Sequence, residues 1–235
     1  MTIQPFNSPA TLLDQVLDLA YFHEEDGEPP AIPILRVDGA GKLVVIVGDN
    51  ASGKSFCRRL VQLYCQETKV ECMAISAEGR RKISGAPWLV FVYGDEEHEA
   101  TGVNSTITVL TAIASSKSRN SPHVIFWDAP DLGLSDSWAA GAGQKIREYM
   151  ESPDTRSTEN ALHAAFVVSH NKALVRELLP LNPTYLHVGT EPEKAPKTLQ
   201  EWVDKPVVPG DLSDLPKRSR SRFKAIQKIL DRNKP

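Results

Sequence analysis

Hydrophobic residues recur along the chain in two patterns, one typical of strands and one typical of helices. Short apolar runs, many of them β-branched, predict strands at Lys42–Val47, Val70–Ile75, Trp88–Tyr93, Val124–Trp127, Ala164–Val168 and Tyr185–Val188. Between them, apolar residues at helical spacing predict helices at Lys54–Gln66, Ser105–Ser116, Ser137–Met150 and Lys172–Leu179. Because apolar strands alternate with helices, the sequence predicts an α/β fold with a largely parallel sheet and helices on both faces.

The two ends of the chain depart from this alternation. Helical spacing predicts a helix at Leu12–Phe22, ahead of the first strand. The segment Thr190–Pro216 is rich in proline and charge, which predicts an extended segment with a short helical turn at Thr198–Val203. Helical spacing returns at Ser219–Arg232, with an apolar stripe of Phe223, Ile226, Ile229 and Leu230. We therefore divide the chain into an α/β domain at 1–189, an extended segment at 190–216 and a basic amphipathic helix at 217–235.

Composition favours one globular domain in the cytoplasm. The 235 residues are 41% apolar, which suits a domain of ordinary size. No apolar run reaches the roughly 18 residues of a membrane helix, and Met1–Pro9 lacks the pattern of a secretory signal. The cysteines Cys57, Cys65 and Cys72 are odd in number and not tightly spaced. We therefore expect a reduced, cytoplasmic chain without a membrane contact.

Charge is distributed unevenly along the sequence. The formal net charge is −3, yet Pro216–Pro235 contains eight lysines or arginines and one acidic residue. Three interpretations of this basic segment remain open: a helix packed on the domain with solvated charges, a nucleic-acid contact, or docking to an acidic partner protein. A second basic cluster, Arg80-Arg81-Lys82, adds slightly to the nucleic-acid interpretation.

The most specific chemical signal is the sequence Gly48-Asp49-Asn50-Ala51-Ser52-Gly53-Lys54-Ser55. It matches the phosphate-binding P-loop pattern G-x-x-x-x-G-K-[ST], and it lies between a predicted strand and a predicted helix. In such a loop the backbone N–H groups bind phosphate, the lysine reaches the β- and γ-phosphates, and the serine hydroxyl binds Mg²⁺. We predict ATP and Mg²⁺ as ligands, with nucleotide contacts from Gly48, Asn50, Ala51, Ser52, Gly53, Lys54, Ser55 and Phe56.

An acidic residue ends the predicted strand Val124–Trp127. Asp128 follows four apolar residues, and a carboxylate at the end of such a strand is the usual partner of a P-loop. Its charge orients the water shell of the magnesium ion. The sequence therefore predicts Ser55 and Asp128 as the two metal-binding side chains.

Three motifs in order resemble those of the ABC-type ATPases, a superfamily that includes transporter motor domains and DNA-repair and chromosome-organising ATPases. Asn50 and Ser52 give the P-loop the G-x-N-x-S-G-K-S form, and Asp128–Asp136 resembles the family's D-E-P-x-x-G-L-D stretch. Ser169-His170-Asn171, after a predicted strand, resembles the switch-histidine motif. The resemblance covers roughly Lys42–Lys172.

The resemblance implies a catalytic group of Lys54, Asp128 and His170, in which His170 contacts the γ-phosphate. Two subunits of the family sandwich two ATP molecules, so Ser135 and Asp136 would lie at a dimer seam.

Two further assignments follow from position relative to the family motifs. The loop Thr101–Ser105 stands where the family has its signature loop, although it lacks the S-G-G-Q form, and Asn104 or Ser105 could equally be an ordinary helix cap. Tyr21 and Phe22 lie near where the family stacks an aromatic ring on adenine, but they could equally be core residues.

The chain departs from the family pattern at three points. Ala129 replaces the glutamate that polarises the attacking water, so hydrolysis should be slow or should use another acid, with Asp131 and Glu96 as candidates. No glutamine loop is recognisable after the strand that follows the P-loop. Gly102 lies only 47 positions after Ser55, which implies a reduced helical subdomain and disfavours a transporter.

These features together predict an ABC-like P-loop ATPase with slow intrinsic turnover. Its expected role is an ATP-dependent switch that forms a homodimer or assembles with an effector protein, or that binds nucleic acid through the basic C-terminal segment. One alternative is an ATP-binding scaffold without hydrolysis, which Ala129 favours. Another is a small-molecule kinase, in which Ser169-His170 and Gly133–Ser135 would have no place.

Overall fold

The computed structural model describes residues 4–25, 27–76, 100–152 and 161–232. These residues include a six-stranded sheet of β1 (Ile34–Val37), β2 (Leu43–Val47), β3 (Glu71–Ser76), β4 (His123–Asp128), β5 (Leu162–Val168) and β6 (Thr184–Val188). Strands β2 to β6 lie within two residues of their predicted bounds. The predicted strand Trp88–Tyr93 lies outside the described residues, as do all of residues 77–99, which belong to the stretch between Ser55 and Gly102.

The sheet is largely parallel, as predicted. The described strands are in the order β1-β6-β2-β5-β4-β3, and among them only the β1–β6 pair is antiparallel. Ile46 of β2 and Asp128 of β4 are both in register with Val168, the last residue of the intervening β5. The carboxyl ends of these three strands therefore meet at one edge of the sheet, where α/β proteins place their ligands.

Seven α-helices connect or flank the strands among the described residues. They are α1 (Pro9–Leu17), α2 (Lys54–Glu67), α3 (Thr101–Ser118), α4 (Asp136–Glu151), α5 (Lys172–Leu178), α6 (Leu199–Asp204) and α7 (Asp214–Arg232). Single 3₁₀ turns lie at Ala20–Phe22 and Leu179–Leu181. Within the part of the chain that the structure describes, none of these helices is both long and apolar enough to cross a membrane.

Helices cover both faces of the sheet, which explains why its central strands are apolar throughout. Val44 and Ile46 of β2 face a core that α1 and α2 complete, whereas Val45 and Val47 face a second core with α3, α4 and α5. All five residues of β2 are buried.

Several predicted boundaries are wrong. No strand was predicted at Ile34–Val37, and this edge strand is only half-buried. The first helix ends at Leu17 rather than Phe22, because Leu19 adopts an extended conformation before the 3₁₀ turn. The last helix begins at Asp214 rather than Ser219. The negative charge of Asp214 is favourable at the positive end of the helix dipole, and proline is tolerated in a first turn, where Pro216 lies.

Helix α7 packs on the domain along part of the predicted stripe, with Ile226 and Ile229 as predicted and Ala225 in addition. Ala225, Ile226 and Ile229 contact the core between α1, α2 and the sheet. Phe223 is 65% exposed and Leu230 is 41% exposed, so their assignment to the packing stripe is wrong.

Candidate functional site

Residues 48–55, called here the 48–55 loop, run from the carboxyl end of β2 through a tight turn into the first turn of α2, which begins at Lys54. Gly48 has a φ of 142°, and a Cβ there would lie 2.3 Å from the carbonyl oxygen of Val188 in β6. Glycine is therefore required for this close approach. Gly53, with a φ of 113°, caps α2, and its carbonyl oxygen accepts from the amides of Phe56 and Cys57 at 2.9 and 3.0 Å. Left-handed residues such as these favour a concave backbone that can bind an anion.

Lys54 folds back into this loop. Its Nζ donates to the carbonyl oxygens of Gly48 and Asp49, at 3.0 and 2.6 Å, and to Ser52 Oγ at 3.3 Å. Burial lowers the pKa of Lys54 to about 8, and the negative charges of Asp128 and Asp49 oppose this shift. Uncharged oxygens therefore hold the ammonium in place, and an anion in the loop would supply a stronger partner.

Asp128 forms a buried ion pair that the sequence analysis did not identify. Arg58 Nε lies 3.0 Å from Asp128 Oδ2, and the two side chains are only 8% and 16% exposed. Arg58 Nη1 also donates to Gln62 Oε1 at 3.2 Å. Arg58 stands four residues after Lys54 on α2, so the helical period places both residues on the same side of the helix. This spacing is the feature of the sequence that could have identified Arg58 as a site residue.

The two predicted metal ligands carry oxygens of the kind that magnesium prefers. Ser55 is exposed in the first turn of α2, and the Asp128 carboxylate lies at the end of β4. Hydroxyl and carboxylate oxygens suit Mg²⁺, which keeps several waters and substrate phosphates as further ligands. No cluster of three His, Cys, Asp or Glu side chains in the described ranges could hold a metal by itself. Arg58 would compete with the ion for Asp128.

His170 lies at the end of β5, between the loop after β2 and Asp128 of β4. The Ser169 side chain is buried, and its Oγ accepts from the Asn171 amide at 2.9 Å. Desolvation and the positive charge of Lys54 lower the pKa of His170 to about 4, although the residue remains exposed at the surface. The imidazole is therefore neutral at pH 7. Asn171 caps α5 and also donates to Asp136 Oδ1 at 3.0 Å.

Ala129 and Asp131 follow Asp128 in a strained turn. Ala129 has a φ of 56°, which is unusual for alanine, and its amide donates to the Val168 carbonyl oxygen at 2.9 Å. Desolvation raises the pKa of Asp131, and a contact with Ser169 opposes that shift. Asp131 therefore lies beside the residue that precedes His170. The other acid considered, Glu96, lies outside the described residues.

Residues Thr101–Ser105 form the first turn of α3, so their prediction as a loop preceding a helix is wrong. Asn104 and Ser105 are buried, and Ser105 Oγ donates to the Leu132 carbonyl oxygen at 2.6 Å. A Cβ on Gly102 would lie 2.7 Å from the Gly133 carbonyl oxygen. The candidate signature segment thus contacts the Asp128–Asp136 stretch within one chain.

The aromatic residues ahead of the sheet are divided between core and surface. Phe22 is buried in the core, so it has no face available for a base. Tyr21 is partly buried, and its ring meets the Phe56 ring edge-on at 4.9 Å between centroids.

Helix α7 crosses the outer side of the same loop. Arg218 Nη1 lies 3.2 Å from Asp49 Oδ2, and Arg222 donates to the carbonyl oxygens of Ala31 and Gly189. Lys228 and Arg232 both pair with Glu28. Several charges of the basic segment therefore contact acidic residues of the same chain, which no local pattern in the sequence indicated.

No family model, curated protein or solved structure matches the chain. Its function must therefore be argued from the geometry of the carboxyl edge of the sheet.

Proposed function

We propose that the protein binds Mg-ATP at the 48–55 loop and acts as an ATP-dependent switch. The observation that carries this proposal is the arrangement at one sheet edge: Lys54 lies within a tight loop, and His170 and Asp128 end the next two strands. The loop amides and the N-terminus of α2 would bind phosphate. Mg²⁺ held by Ser55 and Asp128 would neutralise charge on the β- and γ-phosphates.

The strand order gives the triphosphate a direction. Strands β5 and β4 lie on one flank of β2, so the γ-phosphate would point toward His170 and Asp128. The Lys54 ammonium would exchange its carbonyl partners for phosphate oxygens. Neutral His170 would donate one N–H to the γ-phosphate and would thereby distinguish ATP from ADP.

Slow hydrolysis is part of this proposal. Ala129 offers no carboxylate to polarise a water molecule. The same fact keeps the non-hydrolysing scaffold open as a second function. Turnover of ATP by the monomeric and by the assembled protein separates the two, since a scaffold would show none in either state.

Exposed apolar side chains support assembly. Val103 and Leu132 are 48% and 41% exposed and adjoin the contact between Gly102 and Gly133. Trp138 is 69% exposed in the first turn of α4, and we take these three residues as the candidate assembly face. A tryptophan exposed to this extent is a common anchor of protein interfaces. We propose that this face meets a second copy of the chain or an effector when ATP is bound.

Sedimentation of the purified chain in Mg-ATP and in Mg-ADP tests the switch. We expect a larger species in ATP only. Trp138→Ala should reduce the larger species without changing ATP affinity, and His170→Ala should reduce its dependence on the γ-phosphate. Lys145→Ala, an exposed change on the same helix as Trp138, is the control. Identical monomer profiles in both nucleotides, alone and with every co-purifying protein, would remove the switch.

A further inference from the structure

A cleft of about 740 Å³ lies between α7 and the 48–55 loop. Pro29 and Pro30 contribute apolar lining, and α7 contributes Ser221, Arg222 and Ala225. Loop residues Asp49 to Ser52 form the floor. A cleft of this volume accommodates a small molecule, and apolar walls with a few polar groups are typical of ligand sites.

Arg222 differs from the other cations of this cleft. Lys194 pairs with Glu191, Lys217 pairs with Asp214, and Arg218 pairs with Asp49. Arg222 binds only the two carbonyl oxygens, and it has no carboxylate partner among the described residues. Desolvation lowers its pKa. Its partly buried guanidinium is thus the one uncompensated cation of the cleft within these residues, and a planar ligand could stack on it.

The cleft and the γ-phosphate groups lie on opposite flanks of β2. Gly189 and Thr190, which follow β6, border the cleft, whereas His170 and Asp128 end β5 and β4. Since β6 and β5 are the two neighbours of β2, a triphosphate that points its γ end toward β5 directs its other end toward β6.

We propose that this cleft holds the base and ribose of the nucleotide, with the base packed against the two prolines and the Arg222 guanidinium. The proposal rests on ATP binding at the 48–55 loop. The Thr190 and Ser221 hydroxyls line the same cleft and suit the ribose hydroxyls. The base site is then formed by α7 rather than by Tyr21 and Phe22, and nucleotide binding is coupled to the docking of α7.

Comparison of ATP with inorganic tripolyphosphate tests this assignment, because the second ligand has phosphates and no nucleoside. Calorimetry on the full chain should show that Arg222→Gln binds ATP about tenfold more weakly and tripolyphosphate equally well. Ser221→Trp, which fills the cleft, should have the same selective effect. Arg220→Gln and Ser219→Trp are the controls, because they change neighbouring exposed residues of α7 that do not line the cleft. Each should leave the affinities for ATP and for tripolyphosphate unchanged.

Three results overturn the proposal. Equal weakening of ATP and tripolyphosphate by Arg222→Gln would place phosphate, not the nucleoside, in the cleft. Unchanged ATP affinity in both Arg222→Gln and Ser221→Trp would leave the cleft without a nucleotide role. If the wild type binds neither ligand, or if Lys54→Ala changes neither affinity, the phosphate site itself fails and the base site fails with it. Far-ultraviolet circular dichroism checks that each variant is folded.

Discussion

Replacing Arg58 by methionine should destabilise the protein, because it leaves the Asp128 carboxylate without its buried guanidinium partner. The pair is 3.0 Å apart, and its side chains are 8% and 16% exposed. Removing one member of a buried ion pair typically costs about 3–5 kcal/mol, and the residual exposure of Asp128 favours the lower end, about 3 kcal/mol. For a chain of this size, that corresponds to a fall of about 6–12 °C in the thermal midpoint.

Urea unfolding followed by circular dichroism measures this loss. Arg59→Met changes the exposed neighbour on α2 and should stay within about 0.5 kcal/mol of the wild type. The double variant Arg58→Met with Asp128→Leu should recover much of the lost stability, because it removes both charges. If Arg58→Met alone costs less than about 0.5 kcal/mol, the inferred ion pair does not contribute to stability.

The same variant reports on the metal. In Arg58→Met a magnesium ion would supply the positive charge that Asp128 has lost, so Mg-ATP should raise the midpoint more in the variant than in the wild type. Equal increases in both proteins would mean that the ion is not held by Asp128.

Three further predictions concern the loop, the turnover and α7. The Lys54 pKa of about 8 leaves the side chain half neutral at pH 8. Because a bound triphosphate favours the ammonium form, ATP binding should take up protons at pH 8–9, and the affinity should fall as pH rises. Calorimetry in two buffers of different ionisation enthalpy checks this, and heats independent of the buffer would contradict it. Ala129→Glu should raise the rate of phosphate release in the assembled protein. Rapid turnover by the wild type would instead show that another group is the base, and Asp131→Asn would be the first variant to test for that role. Ile229→Asp should lower the free energy of unfolding by about 3 kcal/mol, because it buries a charge under α7, and an unchanged urea midpoint would show that α7 is not packed on the domain.

The parallel sheet could be predicted because its central strands are apolar on both faces. All five residues of β2 are apolar, and the loop that follows carries a motif with fixed spacing. Strand β1 was not predicted because it is half-exposed at the sheet edge and Arg36 interrupts its apolar residues.

The ion pair at the site could not be predicted, because its two members lie 70 positions apart and meet only when α2 packs beside β4. The α7 stripe was only partly predicted for a related reason. Helical spacing fits Phe223 and Leu230 nearly as well as Ala225 as companions of Ile226 and Ile229. Tertiary contacts orient the helix, because Arg222 reaches the carbonyl oxygens of Ala31 and Gly189 from the side that carries Ala225.

Titration of Mg-ATP into the wild type and into Lys54→Ala tests the central claim most directly. Lys54 would make charge-assisted hydrogen bonds to the phosphates, so we expect a loss of about 2–3 kcal/mol, or roughly 30- to 150-fold in affinity. Lys42→Ala removes the same charge near the opposite end of β2 and should bind ATP like the wild type. Equal affinities of the wild type and Lys54→Ala, or no binding by the wild type, would contradict the assignment of the 48–55 loop as the ATP site.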